Sequence, residues 1–121
     1  MKVEELNNKI QKMRNIDDYE EIYRHIWEVD ADIWDKLISK SELNIERPSR
    51  YTVGQSENAE LLANEKYIEM YVYYVLAKDD MLYQDTESYS NNMILYNNLM
   101  NEFSAEFREN HRSNNKYRIK Y

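Results

Sequence analysis

The chain has no cysteine, one proline (Pro48) and one glycine (Gly54) in 121 residues. Without cysteine there is no disulfide, no thiolate metal site and no thiol nucleophile. A sheet needs many tight turns, and tight turns are built from Gly and Pro, so all-β and doubly wound architectures lack their turn chemistry here. Helices joined by few connections remain. No apolar run approaches the roughly 18 residues that a membrane span requires. The opening MKVEELNNKIQKMRN is too charged for a secretory signal, so we expect a soluble protein made in a cytoplasm, with no membrane partner.

Histidine is scarce too, and the two present, His25 and His111, limit catalytic chemistry. Glu21, His25, Glu28 and Asp32 fall on one face of a helix, but any acidic helix with one histidine produces that spacing. The paired Glu-x-x-His motifs of carboxylate-bridged metal bundles are missing. There is no G-x-S-x-G elbow and no glycine-rich phosphate cradle, since Gly54 stands alone in VGQS. Asp79 lies near the stripe of Val75 and Leu82, which fits an acid bonded to a neighbouring helix better than an acid–base pair with Asp80. We therefore expect no enzyme, no catalytic residue, no cofactor and no metal.

What is abundant is acid. Lys and Arg number 16 against 23 Asp and Glu, a net charge of −7. That balance opposes a protein that wraps nucleic acid, which needs clustered cations. The distribution is uneven: residues 1–107 carry 11 bases and 22 acids, whereas Arg108, Arg112, Lys116, Arg118 and Lys120 face only Glu109 beyond them. An acidic body with a basic tail suggests a contact with a partner.

The hydrophobic pattern predicts four helices. Val3, Leu6, Ile10 and Met13 recur at helical steps and place helix one at about 2–14. Asp17 is expected to cap helix two by accepting from the amide of Glu20, with the acids at 17, 18, 20 and 21 favoured at the positive end of the helix dipole. Its inner face reads Ile22, Ile26, Val29, Ile33 and Leu37, widened by Tyr23, Trp27 and Trp34, with an end near Lys40. Residues 41–58 show no sustained period and form a long connector, in which ERPSRYTVG reads as a short extended piece. Connectors of this length are usually functional or mobile, so Arg47, Arg50 and Tyr51 are candidates for subunit or partner contact.

Helix three is expected over 60–84 with Ile68, Tyr71, Val72, Val75, Leu76 and Leu82 inward and Tyr67, Tyr74 and Tyr83 at its flanks. YVYYVLA alone would also suit a strand, and the longer 3.6-residue period decides for helix. Asp85, Thr86 and Glu87 make a tight link to helix four, about 86–111, which runs through Tyr89, Met93, Tyr96, Met100, Phe103 and Phe107. Helices three and four thus form an antiparallel hairpin, and His111 suits the negative end of the second. The fold class is all-α: a small bundle of about four helices over residues 1–112, followed by an extended tail over 113–121.

In the tail Lys116, Arg118 and Lys120 alternate with Tyr117, Ile119 and Tyr121. A hexapeptide is no stable strand by itself. It looks like a segment that becomes a strand by pairing with another chain's sheet edge, the alternative being a solvated terminus. The 12 tyrosines are similarly two-sided. They fit surfaces that are covered by partners while a hydroxyl stays wet, and they also follow from an AT-rich coding sequence.

Two stretches carry a family resemblance. HIWEVDADIWDKLI, residues 25–38, sets two aromatics around acids before an aliphatic end. YIEMYVYYVLAKDDMLYQDTESYSNNMILYNNLMNEFSAEFRENHR, residues 67–112, begins rich in tyrosine, carries Ala and Asp mid-helix and closes on Asn-His-Arg. Together they span about half the chain and resemble the head-to-tail connector family of long-tailed bacteriophages of Gram-positive hosts. LLANEKYIEMY, residues 61–71, departs from the family, whose hairpin start is richer in proline.

The resemblance implies a virion adaptor at the head-to-tail interface, made in the host cytoplasm. It would be a homo-oligomeric ring of twelve subunits that docks on the portal protein after DNA packaging. The ring would offer a platform to a stopper or tail-completion protein and let genomic DNA pass without specific binding. Carried onto this chain, the extension that reaches the portal is the tail, with Lys116, Tyr117, Arg118, Ile119, Lys120 and Tyr121. The alternative is an acidic phage-encoded regulatory or inhibitory protein of the DNA-mimic type, which asks for carboxylates along one continuous face.

Overall fold

The computed structural model describes residues 1–111 and is all-helical over them. The helices are α1 (Val3–Met13), α2 (Tyr19–Lys36), α3 (Ile68–Leu82) and α4 (Thr86–Asn110). Helix α3 is the central one. Its inward residues Ile68, Met70, Tyr71, Val72, Val75, Leu76 and Ala77 point in several directions and are all buried, as expected of a helix apolar most of the way round. α2 packs antiparallel on one side of it, Tyr74 meeting His25 and Glu28. α4 packs antiparallel on the other, through Tyr74–Tyr96 and Tyr67–Phe103 ring contacts. Each Ile, Leu or Val buried in this core contributes roughly 1.5–3 kcal/mol relative to exposure.

Helix boundaries differ from the pattern where a side chain or a distant backbone group claims an amide. The cap of α2 is Asp18 rather than Asp17: its carboxylate accepts from Glu21 N–H at 3.2 Å, while the Asp17 carbonyl is occupied by Tyr19 N–H. α2 ends at Lys36, and Ile38–Lys40 tightens into a 3-10 turn. Leu37 and Ile38 are both buried, so the tighter turn continues the inner face of α2. Ser39 and Ser41 hydroxyls donate to the carbonyls of Asp35 and Ile38 and hold the tighter turn.

Helix three begins at Ile68 after a 3-10 turn over Glu65–Tyr67, not at residue 60. The backbone of 57–63 is taken by other parts of the molecule. Val3 and Glu4, whose amides have no partner within α1, donate to Ala59 and Glu57 carbonyls, and Leu61 N–H donates to the Met1 carbonyl. Leu62 N–H goes to Asp30 and Ala63 N–H to the Tyr71 hydroxyl. Two apolar side chains expected inside lie outside: Met13 is 55% exposed and Leu82 73%. Both occupy the last turn of their helix, and at the end of α3 the interior is filled by a polar network around Asp80 instead.

The connector has no regular secondary structure from residue 42 to 51, yet it is fastened along α2 as a strap. Trp34 Nε1–H donates to the Ile45 carbonyl at 2.8 Å and Trp27 Nε1–H to that of Pro48 at 2.9 Å. Further on, Val53 N–H meets the Glu20 carboxylate. The strap retraces α2 toward its N-terminus. Gly54, at φ +91°, then turns the chain back, its N–H donating to Glu57 at 2.7 Å.

Candidate functional site

Two buried carboxylates organise the interior. Asp30 is fully buried. It accepts from the Tyr51 hydroxyl at 2.7 Å, from the Tyr71 hydroxyl and from Leu62 N–H at 3.3 Å, joining α2, α3 and both ends of the strap. Burial pushes its pKa up to about 6, and the three donors only partly counter that. The same burial, with Asp30 beside it, pushes the Tyr71 hydroxyl well up. Among the described residues no charged base pairs with Asp30, so it is held by neutral donors.

Asp80 is the second. It accepts from Arg14 at 2.7 Å, Ser88 Oγ at 2.7 Å and Asn92 Nδ2 at 2.8 Å, so that α1, α3 and α4 meet on one carboxylate. Burial favours its neutral form, but the Ser88, Asn92 and Arg14 bonds outweigh it and hold Asp80 below the usual carboxylate range. Asp79, the acid expected to bind a neighbouring helix, does so through Arg14 at 2.9 Å. The sequence pattern passed over Asp30 and weighed Asp80 only as the partner of Asp79 in an acid–base pair. The signal was present: Asp30 lies four residues after Ile26 and three before Ile33, on the apolar stripe itself, and Asp80 lies four after Leu76.

Glu21, His25 and Glu28 do come together. His25 Nδ1 is 2.8 Å from Glu28 and Nε2 is 3.5 Å from Glu21. Arg24 binds both acids, so the carboxylates already face cations and the imidazole already faces carboxylates. Asp32 stands apart, paired with Lys36 at 3.0 Å. Among the described residues no group of three or more His, Asp and Glu is placed to hold a metal ion.

Of the candidate contact residues in the connector, Arg47 and Arg50 are exposed. Arg47 holds Asp35 with two bonds, at 3.0 and 3.2 Å, and lies over the Trp27 ring at 5.5 Å. Tyr51 is buried and serves Asp30, so its hydroxyl is committed to the core. His111 donates its backbone N–H to Phe107 and Arg108 carbonyls and places Nδ1 2.8 Å from the former, closing α4 as expected. Residues 116–121, the candidate portal-binding tail, lie outside the described residues.

The described residues also form two surface grooves and an exposed apolar end of α3. The first groove, about 400 Å³, lies between the N-terminal half of α2 and the C-terminal end of α3, with Ile16, Ile22, Val75 and Leu82 in its walls. The second, about 560 Å³, lies between the C-terminal ends of α2 and α4, beside Leu37 and Phe107. The end of α3 at the α3–α4 turn carries Met81, Leu82 and Tyr83, which are 50%, 73% and 74% exposed. No described helix is long and apolar enough to cross a membrane. Comparison with family models, curated proteins and solved structures finds no match for this chain.

Proposed function

We propose that this chain is a structural connector between protein assemblies, of the phage head-to-tail adaptor type, working as a ring between a portal and a tail-side stopper. The observation that carries the reading is the exposed apolar turn Met81–Leu82–Tyr83 on a body whose helices are cross-tied by Asp30 and Asp80. A monomer gains nothing from three large apolar side chains at its tip, whereas a docking surface does. Polar hubs, one joining α2 and α3 to the strap and the other joining α1, α3 and α4, favour one rigid arrangement, which suits a part that must hold its shape in an assembly. The resemblance of residues 25–38 and 67–112 to that family points the same way.

A DNA mimic asks for carboxylates free to imitate phosphates. In α2 the acids are engaged within the molecule: Glu20 with Val53 N–H, Glu21 and Glu28 with Arg24, Asp32 with Lys36, Asp35 with Arg47, and Asp30 in the core. The connector reading accounts for the surface better.

The test is electron microscopy and co-sedimentation of the full chain with a purified portal ring. Density capping the ring is the expected result; a portal that stays bare sinks the proposal. In the same assay a chain lacking residues 114–121 should keep its helical circular dichroism and lose portal binding. Retained binding would remove the tail, and with it Lys116, Tyr117, Arg118, Ile119, Lys120 and Tyr121, from the contact.

A further inference from the structure

The two grooves are complementary to each other. The first is lined by Asp18, Glu21, Glu28 and Asp79 against Arg24 and Lys78, a formal excess of two negative charges leaving histidine aside. The second is lined by Lys36, Lys40 and Arg108 against Glu109, an excess of two positive charges. They sit at opposite ends of α2, which by its rise spans about 27 Å. The pattern extends past the grooves: Asp85 and Glu87 begin α4 next to the first groove's Met81 and Leu82, while Arg108 and His111 end α4 in the second.

Part of this polarity serves the helices themselves, since acids suit N-termini and bases suit C-termini. Dipole compensation does not account for the apolar components. Met81 and Leu82 stand open at the acidic groove, and half-buried Phe107, backed by buried Leu37, lines the basic one. An apolar patch rimmed by one sign of charge, facing an apolar patch rimmed by the other, is what a specific protein contact requires.

We propose that the basic groove of one copy receives the α3–α4 turn of the next, with Leu82 entering beside Ala105 and Phe107 and the net negative rim of the first groove, whose Glu21 and Glu28 share Arg24 and whose Asp79 holds Arg14, facing Lys40 and Arg108. The contact is heterologous: two different surfaces of identical subunits meet, so it propagates from copy to copy and closes into a ring when the rotation between neighbours permits. It rests on the connector reading and specifies which faces of the subunit build the ring.

The absence of native cysteine makes disulfide mapping clean. Leu82→Cys and Ala105→Cys, both at exposed positions, are prepared separately in the full chain, oxidised alone and as a mixture over a concentration series up to about millimolar. The mixture should give the 82–105 dimer, and each variant alone should give little. The double variant L82C/A105C should give a ladder of multimers. Lys40→Glu with Arg108→Glu in the double variant should reduce the ladder at least ten-fold, as should raised salt.

Symmetric 82–82 or 105–105 dimers, or no mixed dimer at any concentration, would overturn the contact. Portal binding without the 82–105 link would sink the contact and leave the connector reading standing. The link without portal binding would do the reverse.

Discussion

Asp30 shows how one buried atom group ties stability to pH. In the fold its carboxyl keeps a proton to about pH 6, whereas in the unfolded chain it ionises near 3.8. Between those values the folded state binds more protons, so stability falls as pH rises through the window. A rise of about two in pKa corresponds to about 3 kcal/mol at 1.36 kcal/mol each. Asp30→Asn keeps an oxygen for Leu62 N–H and removes the titration. Relative to the parent it should gain about 3 kcal/mol between pH 4 and pH 7, read from urea midpoints at the two pH values; parallel pH dependences would show that Asp30 does not titrate in this window. Gln84 is a second residue whose cost is local. It sits at φ +59° in the loop closing α3, where Gln84 N–H bonds the Met81 carbonyl and Asp85 N–H that of Asp80. This is the left-handed position that helices usually give to Gly. Gln84→Gly should therefore stabilise the protein by about 1 kcal/mol, seen as a higher thermal midpoint.

At the scale of elements, the strap is the part with most to lose from a single bond. It has no ladder of its own, so its order comes from Trp27, Trp34, Arg47 and Tyr51. Tyr51→Phe keeps the ring in its place and removes the hydroxyl that donates to Asp30. Losing a bond to a buried carboxylate costs about 2 kcal/mol. Amide exchange should accelerate over residues 51–62 while α4 stays protected; uniform acceleration would show instead that the strap and bundle open together. The same elements mark what the sequence could and could not tell. The stripe of α4 was legible because it packs on one side only, and that of α2 because its aliphatic face keeps the 3.6-residue period even though the strap covers a second side of the helix. The start of helix three was not, because Leu61, Leu62 and Ala63 give their amides to Met1, Asp30 and Tyr71 instead of to a helical ladder, and Met1 and Asp30 lie far away in sequence. Asp30 and Asp80 stood on the apolar stripes in plain view, but acids are counted as solvated by default. Tyr51 read as an exposed loop aromatic for the same reason: its partner is 21 residues away. The grooves form where the ends of two helices meet, and no local pattern announces that.

For the whole molecule, these groups act in opposite directions on acid stability. Bonds from Ser88, Asn92 and Arg14 overcome burial to hold Asp80 low; against burial too, Arg24 lowers Glu21, and His25, Tyr74 and Arg24 lower Glu28. A carboxylate whose pKa is depressed by folding contributes stability above its unfolded value and loses it as pH falls through the folded one. Stability should therefore drop below about pH 4 as these acids protonate. It should also drop from about pH 4 to about pH 6 as Asp30 ionises. Self-repulsion works with Asp30, because the net charge reaches −7 at neutral pH and vanishes near the pI of 4.9. The expected curve of urea midpoint against pH has its maximum between about 4 and 5, lower than the usual maximum between about 5 and 8. The two causes on the alkaline side separate cleanly. Added salt screens the repulsion between surface charges but leaves a buried carboxyl largely untouched, whereas Asp30→Asn removes the buried titration and leaves the surface charged. If salt alone flattens the alkaline limb, self-repulsion governs the neutral-pH stability of this bundle; if only the substitution does, Asp30 governs it.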